Sequence, residues 1–184
     1  FLAHFPVNSK KSKDEKFYIN ASDVSIGREP QRAYTVCQGP LPTTINDFFY
    51  LLVAKKTRTI INTTKARESR AGRSVEKCYD YWTTGKFCKY KSGLRGYRIA
   101  KLPFGDVVRM PELETISVYS QNTGEKIRIG AKYIFKVLDK HGNPAFLPSG
   151  ERKPSEQKIS DLTLFHYEEW PDYGVPDTPV HLIE

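Results

Sequence analysis

The sequence predicts one domain of mixed α and β structure built around a sheet. Three observations carry that prediction. Ile45, Phe48, Phe49 and Leu52 recur at helical spacing just after Pro42. Residues 114–138 alternate apolar and polar around Asn122-Thr123-Gly124, as a hairpin with one buried face does. Residues 57–62 form a short β-branched run suited to a buried strand. No repeat and no linker divides the 184 residues, so a single domain over 1–184 with a sizeable core is expected.

The elements follow in order. Residues 1–16 are polar and basic and read as an irregular stretch. Tyr34-Thr35-Val36-Cys37 has strand character, and Gly39-Pro40-Leu41-Pro42 then breaks the chain. A helix is expected over 43–55, with Thr43 or Thr44 as its cap. Asp47 lies in its first turn, where a negative charge suits the dipole. Residues 64–76 are heavily charged and read as a basic loop, and a strand is expected over 97–102. Residues 139–158 look like an exposed connection with a turn at His141-Gly142-Asn143. Residues 159–167 form a further strand that carries Ile159, Leu162, Leu164 and His166, and Asp177-Thr178-Pro179 starts a helix.

A hydrophobic fraction of 39% with 12% aromatics fits a folded globular chain rather than a disordered one. No apolar run approaches the roughly 20 residues of a membrane span. The start lacks a secretory signal, and it lacks Met, so residues are expected to be missing before Phe1. The net charge of +8 suits anionic partners such as nucleic acid, acidic membranes or phosphorylated ligands, a solvated basic surface being the plain alternative. The basic runs at Lys10-Lys11-Ser12-Lys13 and between Arg67 and Lys77 come without single-strand-binding aromatics or zinc-finger spacing, so nucleic acid is not expected. Cys37, Cys78 and Cys88 form no CxxC and suit a reducing, cytoplasmic compartment, and the four His are scattered. Neither a metal nor a cofactor is expected.

Four segments carry the chemistry. They are Phe17-Tyr18-Ile19-Asn20-Ala21-Ser22; Cys37-Gln38-Gly39-Pro40-Leu41-Pro42 with Asp47-Phe48-Phe49; Glu76-Lys77-Cys78-Tyr79-Asp80-Tyr81-Trp82; and His166-Tyr167-Glu168-Glu169-Trp170-Pro171-Asp172-Tyr173-Gly174-Val175-Pro176-Asp177. In this order and at these separations they resemble the motif series of the tyrosine-specific protein phosphatases. The resemblance spans roughly residues 17–180. It implies a twisted mixed β-sheet flanked by helices and a cysteine-dependent hydrolysis of phosphotyrosine in proteins. In that family a thiolate attacks phosphorus, and an Asp on a Trp-Pro-Asp loop protonates the leaving phenolate oxygen. A His-Cys-x5-Arg loop at a helix N-terminus cradles the phosphate. Such a terminus suits a dianion and lowers a thiol pKa. Proton donation to the leaving group is worth on the order of 10²–10⁴ in rate.

The resemblance makes Asp172 the general acid, with Trp170 and Pro171 as the hinge and anchor of its loop. Lys77 would lie near that loop, and Glu68 would hold the phosphate-binding Arg, solvated surface charges being the alternative for both. Tyr18, Asn20, Gln38, Tyr81 and Trp82 are read as fold supports, Asn20 and Gln38 pinning loops by hydrogen bonds. Phe49 stands where the family usually has Trp. No cysteine here fits the nucleophile motif, because Thr43, Thr84 and Leu94 occupy the sixth positions after Cys37, Cys78 and Cys88. All three cysteines read as small buried or half-buried hydrophobes. The expectation is therefore a partial phosphatase domain whose nucleophile belongs to a longer parent, and which would be aggregation-prone by itself. The competing readings are a pseudophosphatase that binds anions without catalysis and, last, a nucleic-acid binder with steep salt dependence.

Overall fold

The computed structural model describes residues 19–26, 32–70, 72–120, 123–145, 161–171 and 175. The elements are β1 (Ala21–Ile26), β2 (Arg32–Cys37), α1 (Ile45–Ala54), β3 (Thr59–Asn62), β4 (Arg67–Arg70) and β5 (Arg73–Glu76). They continue with β6 (Lys86–Lys89), β7 (Arg95–Leu102), β8 (Gly105–Tyr119), β9 (Lys126–Asp139) and β10 (Asp161–Tyr167).

The sheet expected from the sequence is six-stranded, in the order β3-β10-β9-β8-β7-β6. It is mixed: β10 runs parallel to β3 and antiparallel to β9. β8 and β9 form the long hairpin, with residues 123–124 in its turn and Gly124 at φ +69°. The hairpin reaches further back than the predicted residue 114. Val107 and Val108 are both fully buried, but Pro111 interrupts the alternation that would have marked them as strand. The register slips between Arg109 and Leu113, and a bulge there accommodates a residue with no N–H to donate.

Leu162, Leu164 and His166 of β10 point into the core, as their alternation predicts, and Ile159 lies outside the described residues. The core gathers Phe49 and Phe48 of α1, Tyr81, Trp82, Phe135, Leu162 and Leu164. Phe49 meets Phe135 at 5.4 Å and Tyr81 at 5.8 Å between ring centroids, the tilted and edge-on geometries that aromatic rings favour. Asn46 at the start of α1 accepts a bond from the Lys101 amide of β7 at 3.0 Å, which ties the helix to the sheet.

Several expectations are corrected. Thr44 holds the cap position of α1, but its hydroxyl makes no capping bond. It accepts from the Leu41 amide at 3.0 Å instead, closing the turn before the helix. Residues 64–76 are not simply a loop. β4 and β5 pair antiparallel, with Gly72 at φ +74° in the tight turn between them. Both strands are charged and largely exposed, so no apolar alternation announced them. β1 and β6 were not anticipated, since each is short, polar and at an edge. The expected flanking helices are represented by α1 among the described residues. The turn at residues 141–143 is present, with Gly142 at φ +82°, whereas 1–16, 146–158 and the start expected at 177–179 lie outside the described residues.

Candidate functional site

The parallel pairing of β3 with β10 decides where chemistry can gather. Leu164 pairs with Ile60 and His166 with Asn62, so both strands end on the same side of the sheet. In α/β sheets the loops that leave the C-terminal ends of parallel strands converge there, and ligands bind among them. Here those loops are residues 63–66 after β3 and residues 168–171 after β10.

Each loop is held by local chemistry. The Asn62 side chain accepts from the Thr64 amide at 2.9 Å, an Asx turn that bends the chain at the end of β3. The turn presents the Thr64 carbonyl to Nε2 of His166 at 3.2 Å. β10 stays on the ladder one residue past its last strand position, because the Glu168 amide donates to the Ile129 carbonyl at 2.8 Å. Glu168 also accepts from Arg128 of β9 in a two-pronged pair, 3.1 Å from Nε and 2.7 Å from Nη2. Trp170 follows, half-buried, and Pro171 is exposed. Asp172, the expected acid, lies outside the described residues, as do residues 173 and 174.

The third contributor is the segment after β5. Asp80 accepts from the Thr83 amide at 3.1 Å and from the Thr83 hydroxyl, curling the chain so that Tyr81 and Trp82 turn inward. Trp82 lies against the His166 ring at 4.3 Å between centroids. A cleft of about 400 Å³ opens where the three segments meet, lined by Lys65, Arg67, Trp82, His166, Glu168 and Glu169. A second cleft of about 260 Å³ lies across Ala66 and Arg67 from it, over Cys78, Tyr79 and Thr84.

Of the expected site residues, Lys77 and Glu68 come together: Nζ sits 3.6 Å from the carboxylate, and both side chains are largely shielded from solvent. This pair joins the exit of β5 to β4, so the charged hairpin is anchored at its base beside both clefts. Asn20 and Gln38 bind each other, Nδ2 donating to Oε1 at 3.1 Å, and so fasten the start of β1 to the end of β2. Tyr81 and Trp82 are buried in the core. Thr64, Arg128 and Glu168 did not stand out in the sequence as site residues. Glu168 lay inside a quoted motif, but Arg128 carried no sequence signal, since only the β9–β10 register brings it there.

The three cysteines are free thiols, Cys78 buried and the other two half-buried. Burial pushes the Cys78 thiol up to about 12, with Asp80 adding to the effect, and burial also raises Cys37. Neither is poised as a thiolate near neutral pH. Among the described residues no cluster of His, Cys, Asp and Glu could hold a metal ion, and no helix is long and apolar enough to cross a membrane.

Residues 3–100, more than half of the chain, match the family model described as protein-tyrosine phosphatase. The chain belongs to the protein-tyrosine phosphatase family. It is 29% identical over 177 residues to the mouse tyrosine-protein phosphatase non-receptor type 2, an alignment covering 95% of this chain and 33% of that protein. It is 26% identical over 167 residues to the human receptor-type tyrosine-protein phosphatase alpha, covering 91% of this chain and 16% of that protein. The bovine receptor-type tyrosine-protein phosphatase F is 25% identical over 168 residues, 6% of its length. The chain thus spans a third or less of these phosphatase relatives. The family-model match takes in the β3 exit and Trp82 and ends before β10.

Proposed function

We propose that this chain is part of a phosphatase that hydrolyses phosphotyrosine in proteins, with Asp172 as the general acid. The observation that carries the reading is the parallel β3–β10 pair, which delivers Trp170 and Pro171 to the same end of the sheet as the β4–β5 hairpin. Asp172 is two residues beyond Trp170, and the Arg128–Glu168 pair anchors the strand end from which that segment departs. In this reading a thiolate attacks phosphorus, the P–O bond to the phenol breaks, and Asp172 gives its proton to the leaving oxygen. The Asp172 carboxylate then takes a proton from the water that cleaves the P–S bond. The Lys77–Glu68 pair at the base of the β4–β5 hairpin supports reading both as positioning residues, Lys77 for the acid loop and Glu68 for the phosphate-binding Arg. The thiolate and the phosphate-binding Arg are assigned to a longer chain, because Cys37, Cys78 and Cys88 lack the spacing and the first two are held as thiols. A cytoplasmic setting belongs to the same reading, supported by the three free thiols.

The experiment is turnover of a phosphotyrosyl peptide by the intact protein. Asp172→Asn is expected to lower kcat by on the order of 10²–10⁴ while leaving peptide binding in place. No turnover by the native protein, or turnover indifferent to Asp172→Asn, overturns the reading. Peptide binding without turnover would favour a pseudophosphatase.

A further inference from the structure

Nδ1 of His166 is buried and has no hydrogen-bond partner among the described residues. Because Nε2 faces the Thr64 carbonyl at 3.2 Å, the ring proton must sit on Nε2 in the neutral form. Nδ1 then turns a lone pair toward the Glu168 carboxylate, 3.9 Å away, where neither atom can donate. A proton on Nδ1 would convert this opposed pair into a charge-assisted hydrogen bond. Glu168 is already held by Arg128, whose side chain is 49% exposed and can exchange its partner for water at small cost. The other groups that act on the ring are Thr64 after β3, and Asp80 and Trp82 after β5. Lys65, Arg67 and Glu169 line the cleft beside it.

We propose that His166, Glu168 and Arg128 form a proton-operated latch at the root of the Trp170-Pro171-Asp172 segment. With His166 neutral, Glu168 stays on Arg128 and the strand end is clamped to β9. With His166 protonated, Glu168 swings to Nδ1, Arg128 is released to solvent, and the chain at Trp170 is no longer clamped to β9. His166 and Glu168 are positioning residues that act through the loop and not on substrate. Burial holds His166 below the ordinary imidazole range, Asp80 and Glu168 favour its proton and Arg128 opposes it, so the clamped state prevails at neutral pH. The proposal rests on the reading of that segment as the acid loop, but its test needs no turnover.

The test follows the histidine ring carbons and the Trp170 indole N–H by NMR in the intact protein between about pH 5 and 8. The His166 midpoint is expected to fall in Glu168→Gln and to rise in Arg128→Gln, each by roughly half a unit or more. The Trp170 signal should move with the His166 midpoint in the native protein and stop doing so in Glu168→Gln. Arg128→Lys, which keeps the charge but not the two-pronged geometry, serves if Arg128→Gln unfolds, and it should raise the midpoint by less. A midpoint indifferent to these substitutions, or a Trp170 signal that titrates independently of His166, overturns the latch. A working latch in a protein that hydrolyses no phosphotyrosine would refute the proposed function alone.

Discussion

Cys78 lies so close beneath the backbone that a Cβ on Gly39 would come within 2.6 Å of its Sγ. This packing buries a cysteine that lies inside one of the phosphatase-like motifs and keeps it from being poised as a thiolate. The thiol sits against the Pro40 carbonyl at 3.7 Å, and burial favours its neutral form. A pKa raised on folding means that the native state holds the proton more tightly than the unfolded chain. Stability from this group is therefore complete below about pH 9 and drains away as the pH climbs toward about 12. Denaturant midpoints measured across that window should decline in the native protein and decline less in Cys78→Ala. An equal slope in both would show that Cys78 is not the group concerned. The same scale governs Phe49, which is fully buried among Phe48, Tyr81 and Phe135. Its periodicity predicted the burial.

At the scale of elements, the β9–β10 ladder supports the candidate site. It tolerates no side chain at Gly130, where a Cβ would lie 2.1 Å from the His166 carbonyl oxygen. Backbone cannot yield as a flexible side chain can, so Gly130→Ala is expected to push the strands apart beneath the cleft. The loss should be about 3 kcal/mol, the upper part of the usual overpacking range, and chemical denaturation would measure it. An unchanged midpoint would mean that β10 is held mainly by β3. The contrast between β10 and the β4–β5 hairpin shows what makes an element legible. Leu162, Leu164 and His166 alternate because one face of β10 meets the core. Arg73, Ser74, Val75 and Glu76 are all exposed, so burial imposed no pattern on them.

For the whole molecule, the informative surface is the far face of the sheet. Ile61 and Phe165 are cross-strand partners, and both are exposed, Ile61 to 70%. Lys132 and Glu114 continue the same row, joined at 2.8 Å. The row thus passes from charged to apolar as it nears β3, an edge strand of the described sheet with backbone groups open to pairing. Ile61→Lys should reduce self-association of the 184-residue polypeptide in size-exclusion chromatography, since a charged edge disfavours pairing. Identical elution of both forms would show that this edge is not where chains meet. The net charge of +8 slows association in general but cannot protect a local apolar edge.

The sequence by itself determined a helix over 43–55, the β8–β9 hairpin from residue 114 onward, the alternation of β10 and the family. These depend on burial periodicity and on ordered motifs, and both are written locally along the chain. Only the tertiary structure decided that β3 and β10 lie side by side and parallel, because their pairing joins residues about a hundred positions apart with no local code. From that pairing come the cleft, the Thr64–His166 bond and the opposed His166–Glu168 pair. The Arg128–Glu168 clamp likewise comes from the β9–β10 register, where residues 40 apart meet. Partnerships of this kind are set by which strands become neighbours, so no reading of spacing along one chain could have found them.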